Sequence, residues 1–84
     1  MYKSIFSKTA EKKIQKLDTT QRKDVVKKIK DICENPFHEY KYLKNVMKGF
    51  QRVHIGHFVL VFRIEHQEMT VYFDNFDHHD KIYK

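Results

Sequence analysis

Two arginines and a set of histidines are the side chains here whose types and spacing suit chemistry. Arg52 and His54 stand two apart in the stretch Phe50 to Ile55, and Arg63 follows in the next apolar run. Alternate residues of an extended strand share a face, so Arg52 and His54 point the same way. In the run from Phe58 to Ile64, the residues Phe58, Leu60, Phe62 and Ile64 take one face, and Val59, Val61 and Arg63 take the other. With the first set packed inward, Arg52, His54 and Arg63 can meet on one open concave surface. Near the C-terminus stand two more histidines, His78 and His79. Histidine, with an ordinary pKa of ~6.5, can take or give a proton near neutrality. The planar fork of arginine can hold two phosphate oxygens at once.

Other chemistries are poorly served. Neighbouring residues of an extended segment point apart, so His78, His79 and Asp80 do not make one ion site, and no Cys or His pair has zinc spacing. No metal is expected. Gly49 and Gly56 are the only glycines, too few for a phosphate-cradling loop, so no nucleotide cofactor is expected. Cys33 is the only cysteine and cannot form an internal disulfide, and a reduced cytoplasmic setting is the default. It falls on the apolar stripe of a helix, where a small core residue is expected rather than a nucleophile.

The elements that must position these side chains can be read from periodicity. Tyr2 to Phe6 fits a short strand, and Ser7 an N-cap for a helix over about residues 8–17 with Ala10, Ile14 and Leu17 on one face. Asp18, with Gln21 three residues on, can cap a second helix. Val25, Val26, Ile29, Ile32 and Cys33 form its apolar stripe, and Pro36 stops it near Glu34. Leu43 to Met47 fits a short strand or an irregular lead-in. Phe50 to Ile55 reads as a strand, Gly56-His57 as a tight turn, Phe58 to Glu65 as the central strand, and Met69 to Phe73 as the last. The remainder is a polar tail ending in Ile82-Tyr83. The sum is an α+β fold: a strand, an α-helical hairpin, then a three- to four-stranded antiparallel sheet.

With 84 residues and no linker or repeat, the chain forms a single domain over 1–84. Its longest apolar run, Phe58 to Phe62, is far short of the ~18 residues of a membrane span, and the start has no signal-peptide block. Charge is uneven. Residues 1–48 carry a net +7 and residues 49–84 a net −1, the latter with five of the six histidines. Lys12, Lys13, Lys16, Arg22, Lys23, Lys27 and Lys30 make a basic face on the two helices. Such a face suits RNA phosphates, or is simply solvated.

Residues 49–64, G-F-Q-R-V-H-I-G-H-F-V-L-V-F-R-I, resemble the strand motif of the RelE/ParE toxin superfamily: aromatic, x, Arg, x, Arg, x, Gly, x, Tyr, Arg, then an apolar strand. The tail D-H-H-D-K-I-Y-K resembles that family's closing His-Arg-x-x-x-Tyr element, and the element order agrees along nearly the whole chain. The sequence departs from the pattern at several positions. Arg52 keeps a basic residue, His54 takes the second basic position, Val59 replaces the arginine of the next strand, and His79 stands at the terminal arginine position. Tyr83 is retained.

The resemblance implies the RelE-like microbial RNase fold and a toxin of a type II toxin–antitoxin pair. RelE-like members cut mRNA in the ribosomal A site without metal, whereas ParE-like members poison DNA gyrase. Both are held inactive by a cognate antitoxin, in some cases as a heterotetramer. Some relatives, such as the YafQ branch, use histidines as acid and base. On that reading Arg52 and Arg63 hold phosphate and His54 and His79 transfer protons, with His78 as the alternative to His79. Tyr83 stacks on a base or orients a histidine, and the lysine-rich face meets ribosomal RNA beside the mRNA. Cleavage through the 2′-hydroxyl needs these roles: a base, a cation at the phosphate and an acid for the leaving oxygen. Other readings stay open: a gyrase inhibitor without chemistry of its own, an antitoxin-binding remnant, Arg63 paired with Glu65 or Glu68, and Tyr83 as a core anchor.

Overall fold

In the computed structural model, which describes residues 1–43 and 49–83, the elements are β1 (Lys3–Phe6), α1 (Lys8–Gln15), α2 (Thr19–Glu34), β2 (Lys41–Tyr42), β3 (Gln51–Ile55), β4 (Phe58–Glu65), β5 (Thr70–His78) and α3 (His79–Ile82). The strands form one five-stranded sheet in the order β1-β5-β4-β3-β2. β1 lies parallel to β5, and the other pairings are antiparallel. The α+β class and the strand–hairpin–sheet order agree with expectation: β2 to β5 are four antiparallel strands, and β1 joins them in parallel and makes the sheet mixed.

Local chemistry sets the boundaries. The Ser7 hydroxyl accepts from the Ala10 N–H and caps α1, while the Asp18 carboxylate accepts from the Gln21 N–H at 2.8 Å and caps α2. Asn35 closes α2 one residue before Pro36, its side-chain amide donating to the Asp31 carbonyl at 2.9 Å. Gly56, at φ +62°, turns β3 into β4. Replacing Asp18 with Ala leaves the Gln21 N–H without its partner. The expected loss is about 1 kcal/mol, or a fall of about 4–8 °C in Tm, which a thermal melt would read.

Strand parity puts Leu60 and Phe62 beneath the hairpin with Val71, Phe73 and Phe76 of β5 and Val25, Ile32 and Cys33 of α2, all buried. The far face is not the open surface that the sequence suggested. Val59 and Val61 are 0% and 1% exposed, covered by Leu43, Phe50, Ile82 and Tyr83. The sheet therefore has a core on each side, and the second depends on the C-terminal segment.

Two further corrections concern that segment. β5 does not stop at Phe73 but runs to His78, and the tail then forms α3 rather than an irregular end. A bulge explains the early stop in the sequence reading: Val61 pairs with Asn75 and Phe62 with Phe73, leaving Asp74 as an extra residue. The extra residue breaks the alternation of two, so Val71, Phe73 and Phe76 can all face the hairpin. The Asp74 carbonyl accepts from the Ser7 hydroxyl, which ties the bulge to the start of α1. The second strand is Lys41–Tyr42 with Leu43 just beyond it. Residues 44–47 of the expected strand lie outside the described residues.

Candidate active site

Cross-strand pairing sets the floor of the site. Arg52 lies opposite Val61 on one side and Lys41 on the other, and His54 lies opposite Val59. Directly paired residues share a face, so Lys41, Arg52 and His54 stand on the side covered by α3. α3 supplies the roof. Ile82 is buried in the second core, and His79 and Tyr83 lie four residues apart, one turn, on α3 and its C-terminal cap, the Tyr83 N–H donating to the His79 carbonyl.

These elements bring four side chains together. Arg52 Nη1 is 3.3 Å from His54 Nε2. The His54 and His79 rings lie 5.8 Å apart, His79 and Tyr83 4.7 Å, and His54 and Tyr83 6.3 Å with nearly parallel planes. The Arg52 guanidinium carbon sits 5.7 Å from the centre of the Tyr83 ring. A guanidinium can only donate, so His54 Nε2 accepts and carries no proton. Partial burial, the Arg52 charge, His79 and Lys41 all hold the His54 pKa below its ordinary value. Arg52→Gln removes the closest of these charges and is expected to raise the His54 pKa toward ~6.5, as read from its ring signals in an NMR pH titration.

The Arg52 Nε–H and the Tyr83 hydroxyl are buried and have no hydrogen-bond partner among the described residues. Orphaned donors of this kind are costly, roughly 1–3 kcal/mol each, and cluster where a ligand group completes the bonding. Tyr83 thus anchors the second core with its ring while its hydroxyl stays unpaired among the described residues.

Adjacent in sequence, His78 and His79 are divided by the fold. His78 pairs with Phe58, stacks against His57 at 6.1 Å, and accepts from the Asp80 N–H as the cap of α3. It thus lies on the hairpin side, away from His54. His79 Nδ1 is 3.5 Å from the Asp80 carboxylate, and its ring enters the cluster.

Arg63 shares the site face by parity, but its guanidinium is occupied. It pairs with Glu65 and lies over the Tyr72 ring at 4.1 Å. Tyr72 donates its hydroxyl to Glu68, whose carboxylate pushes the phenol pKa up. Of the basic face, Lys13 reaches round the edge of β5 to Asp77 at 2.6 Å and to Asn75 at 3.4 Å, and holds the Asp77 carboxyl below its usual pKa. Arg22 donates to the carbonyls of Gln15 and Leu17 and so closes α1. Lys12, Lys16, Lys23, Lys27 and Lys30 are exposed. Sequence reasoning missed Lys41, whose position opposite Arg52 depends on pairing between strands of unmarked register. Among the described residues no group of three or more His, Cys, Asp or Glu side chains could hold a metal ion.

The chain is similar to known proteins in sequence and in fold. A family model described as the ParE toxin of type II toxin–antitoxin system, parDE, matches residues 5–83. Over 73 residues the chain is 47% identical to the protein named as toxin RelE4 in Methanocaldococcus jannaschii, covering 86% of this chain and 77% of that one. Its fold is similar to that of the isolated RelE toxin of E. coli, with a TM-score of 0.80 and 22% identity over 93% of this chain and 84% of that one. It is also similar to a chain of the RelBE2 toxin–antitoxin complex of Mycobacterium tuberculosis, with a TM-score of 0.78 and 27% identity over 92% of this chain and 96% of that one.

Proposed function

Because the chain belongs to the ParE toxin family of type II toxin–antitoxin systems, we propose that it is a metal-independent endoribonuclease that cuts mRNA on the ribosome. The observation that carries this reading is the pairing of His54 and His79, with rings 5.8 Å apart, beside the Arg52 guanidinium that contacts His54. Two histidines that close can both reach one phosphodiester.

The geometry supports the following steps. Arg52 turns from His54 Nε2 to the substrate phosphate and frees that lone pair. Neutral His54 takes the proton of the 2′-hydroxyl, whose oxygen attacks phosphorus. Negative charge builds on the phosphate oxygens and is met by Arg52 and by the orphaned Tyr83 hydroxyl. His79, beside Asp80, protonates the departing 5′-oxygen. The P–O5′ bond breaks as the P–O2′ bond forms, leaving a 2′,3′-cyclic phosphate and a 5′-hydroxyl. Arg63, held by Glu65 and Tyr72, supports the sheet beside the site rather than the phosphate. Exposed Lys12, Lys16, Lys23, Lys27 and Lys30 suit ribosomal RNA phosphates, which give position and affinity rather than sequence choice. A cytoplasmic cognate antitoxin is the partner that masks the toxin. Support comes from the M. tuberculosis homologue, whose structure is a toxin–antitoxin complex.

Primer extension on mRNA from a translating extract tests the reading. Cuts at codon boundaries that require ribosomes are the expected result. Intact mRNA in the presence of active toxin would favour the second reading, inhibition of DNA gyrase. One observation speaks for that reading: the matching family model is that of ParE.

A further inference from the structure

Behind the edge strand, on the hairpin side of the sheet, lies a groove of about 730 Å³. The segment Pro36 to Tyr42 forms one wall, and Gln51, Ile64 and His66 stand on the other. Its surface is aromatic and unusually bare. Phe37 is 77% exposed and Tyr42 62% exposed. Exposed apolar surface that borders a groove marks a contact surface.

Several contacts hold Phe37 in place as a platform. Phe37 and His66 stack face to face, with centroids 4.6 Å apart and planes 11° apart. Tyr2 sets its ring edge-on to both, and its hydroxyl lies 3.0 Å from His66 Nδ1. Among the described residues the wall is thus made of flat rings and polar edges, with Ile64 its only branched aliphatic side chain. Bases stack on such surfaces, whereas a docked apolar helix calls for aliphatic pockets.

The two residues of β2 join this groove to the candidate active site. Lys41 pairs with Arg52 and shares its face, while Tyr42 pairs with Gln51, which in turn pairs with Phe62 of the hairpin-side core. One step along the chain therefore leads from a cation beside Arg52 to an exposed ring in the groove. A nucleic-acid strand crossing this edge would meet Lys41 with its backbone and Tyr42 and Phe37 with its bases.

We propose that the groove is a stacking site for bases of the single-stranded RNA whose scissile phosphate lies at Arg52, His54 and His79. It rests on the nuclease reading for what that RNA is, but its own test needs no cleavage. The probe is a short fluorescein-labelled 2′-O-methyl RNA, which has no 2′-hydroxyl to react, titrated with the full chain at fixed salt and read by fluorescence anisotropy. Phe37→Ala/Tyr42→Ala is expected to bind about 30-fold more weakly or worse, since each lost platform removes a base stack. Phe37→Tyr/Tyr42→Phe, which keeps both rings, should bind as the wild type does, and this separates stacking from any disturbance of folding. Equal affinity in the alanine variant would overturn the proposal and leave a peptide as the fitting occupant. Failure of the wild type to bind the RNA would overturn it too. Binding that depends on Phe37 and Tyr42, in a protein that cuts no mRNA, would keep the groove and discard the nuclease.

Discussion

His54→Ala/His79→Ala is expected to lower mRNA cleavage on the ribosome by at least about 10²–10⁴-fold, the usual cost of removing a positioned acid or base. The two losses should not multiply. Once the base is gone, the acid has little developing charge to serve, so either single variant should approach the double one. Both side chains are exposed, and neither belongs to a core cluster. The variant should therefore melt close to the wild type, and lost activity cannot be assigned to lost fold. The pH profile adds a signature. His54 acts as a base only when neutral, and partial desolvation with the Arg52, His79 and Lys41 charges lowers its pKa. The acid limb of the rate profile should thus lie below ~6.5, and cleavage should persist under mildly acid conditions that protonate an ordinary histidine. A gyrase inhibitor would be indifferent to these substitutions, and toxicity retained by the double variant would move the chemistry away from this site.

How far this site could be read from the sequence depends on which forces act locally. Arg52 and His54 were legible because strand parity needs only two residues of one strand. The helices and their caps were legible for the same reason, since Ser7 and Asp18 bond three residues ahead. Parity also placed Leu60 and Phe62 under the hairpin. What failed was non-local. The bulge at Asp74 hid the second half of β5, and with it the fact that the tail leaves the sheet as α3. Without α3 the far face looked open, although Val59 and Val61 are an apolar pair that calls for a cover. The fold also separates His78 from His79, because pairing with Phe58 commits the first to the hairpin side and capping geometry turns the second over the sheet. Arg63 was ambiguous in sequence between phosphate and Glu65, and side-chain proximity two residues along the strand favours the carboxylate. Val59 stands where the resemblance leads one to expect an arginine. It is fully buried under the tail, so this position packs the second core instead of presenting a charge.

Phe62→Ala carries the largest expected effect on stability. Phe62 is 0% exposed at the centre of β4, edge-on to Tyr40 at 5.3 Å and 5.9 Å from Phe73. Truncating a fully buried phenylalanine costs about 3–5 kcal/mol, the lost transfer energy together with the cavity left behind. A domain of this size has roughly 4–13 kcal/mol of stability in total, so the variant should lose a large part of it and melt at least about 12 °C lower. Chemical denaturation would check it, as a lower midpoint with an unchanged slope. The contrast with Ile82→Ala is informative. Ile82 is 8% exposed and closes the second core from α3, at the end of the chain. Its loss should cost less in melting temperature but should loosen His79 and Tyr83 over Arg52 and His54. If the two cores divide the labour in this way, Phe62→Ala lowers stability while the folded fraction remains active. Ile82→Ala stays largely folded and cuts poorly. A Phe62→Ala protein that melts like the wild type would show that the sheet is not held by the hairpin-side core.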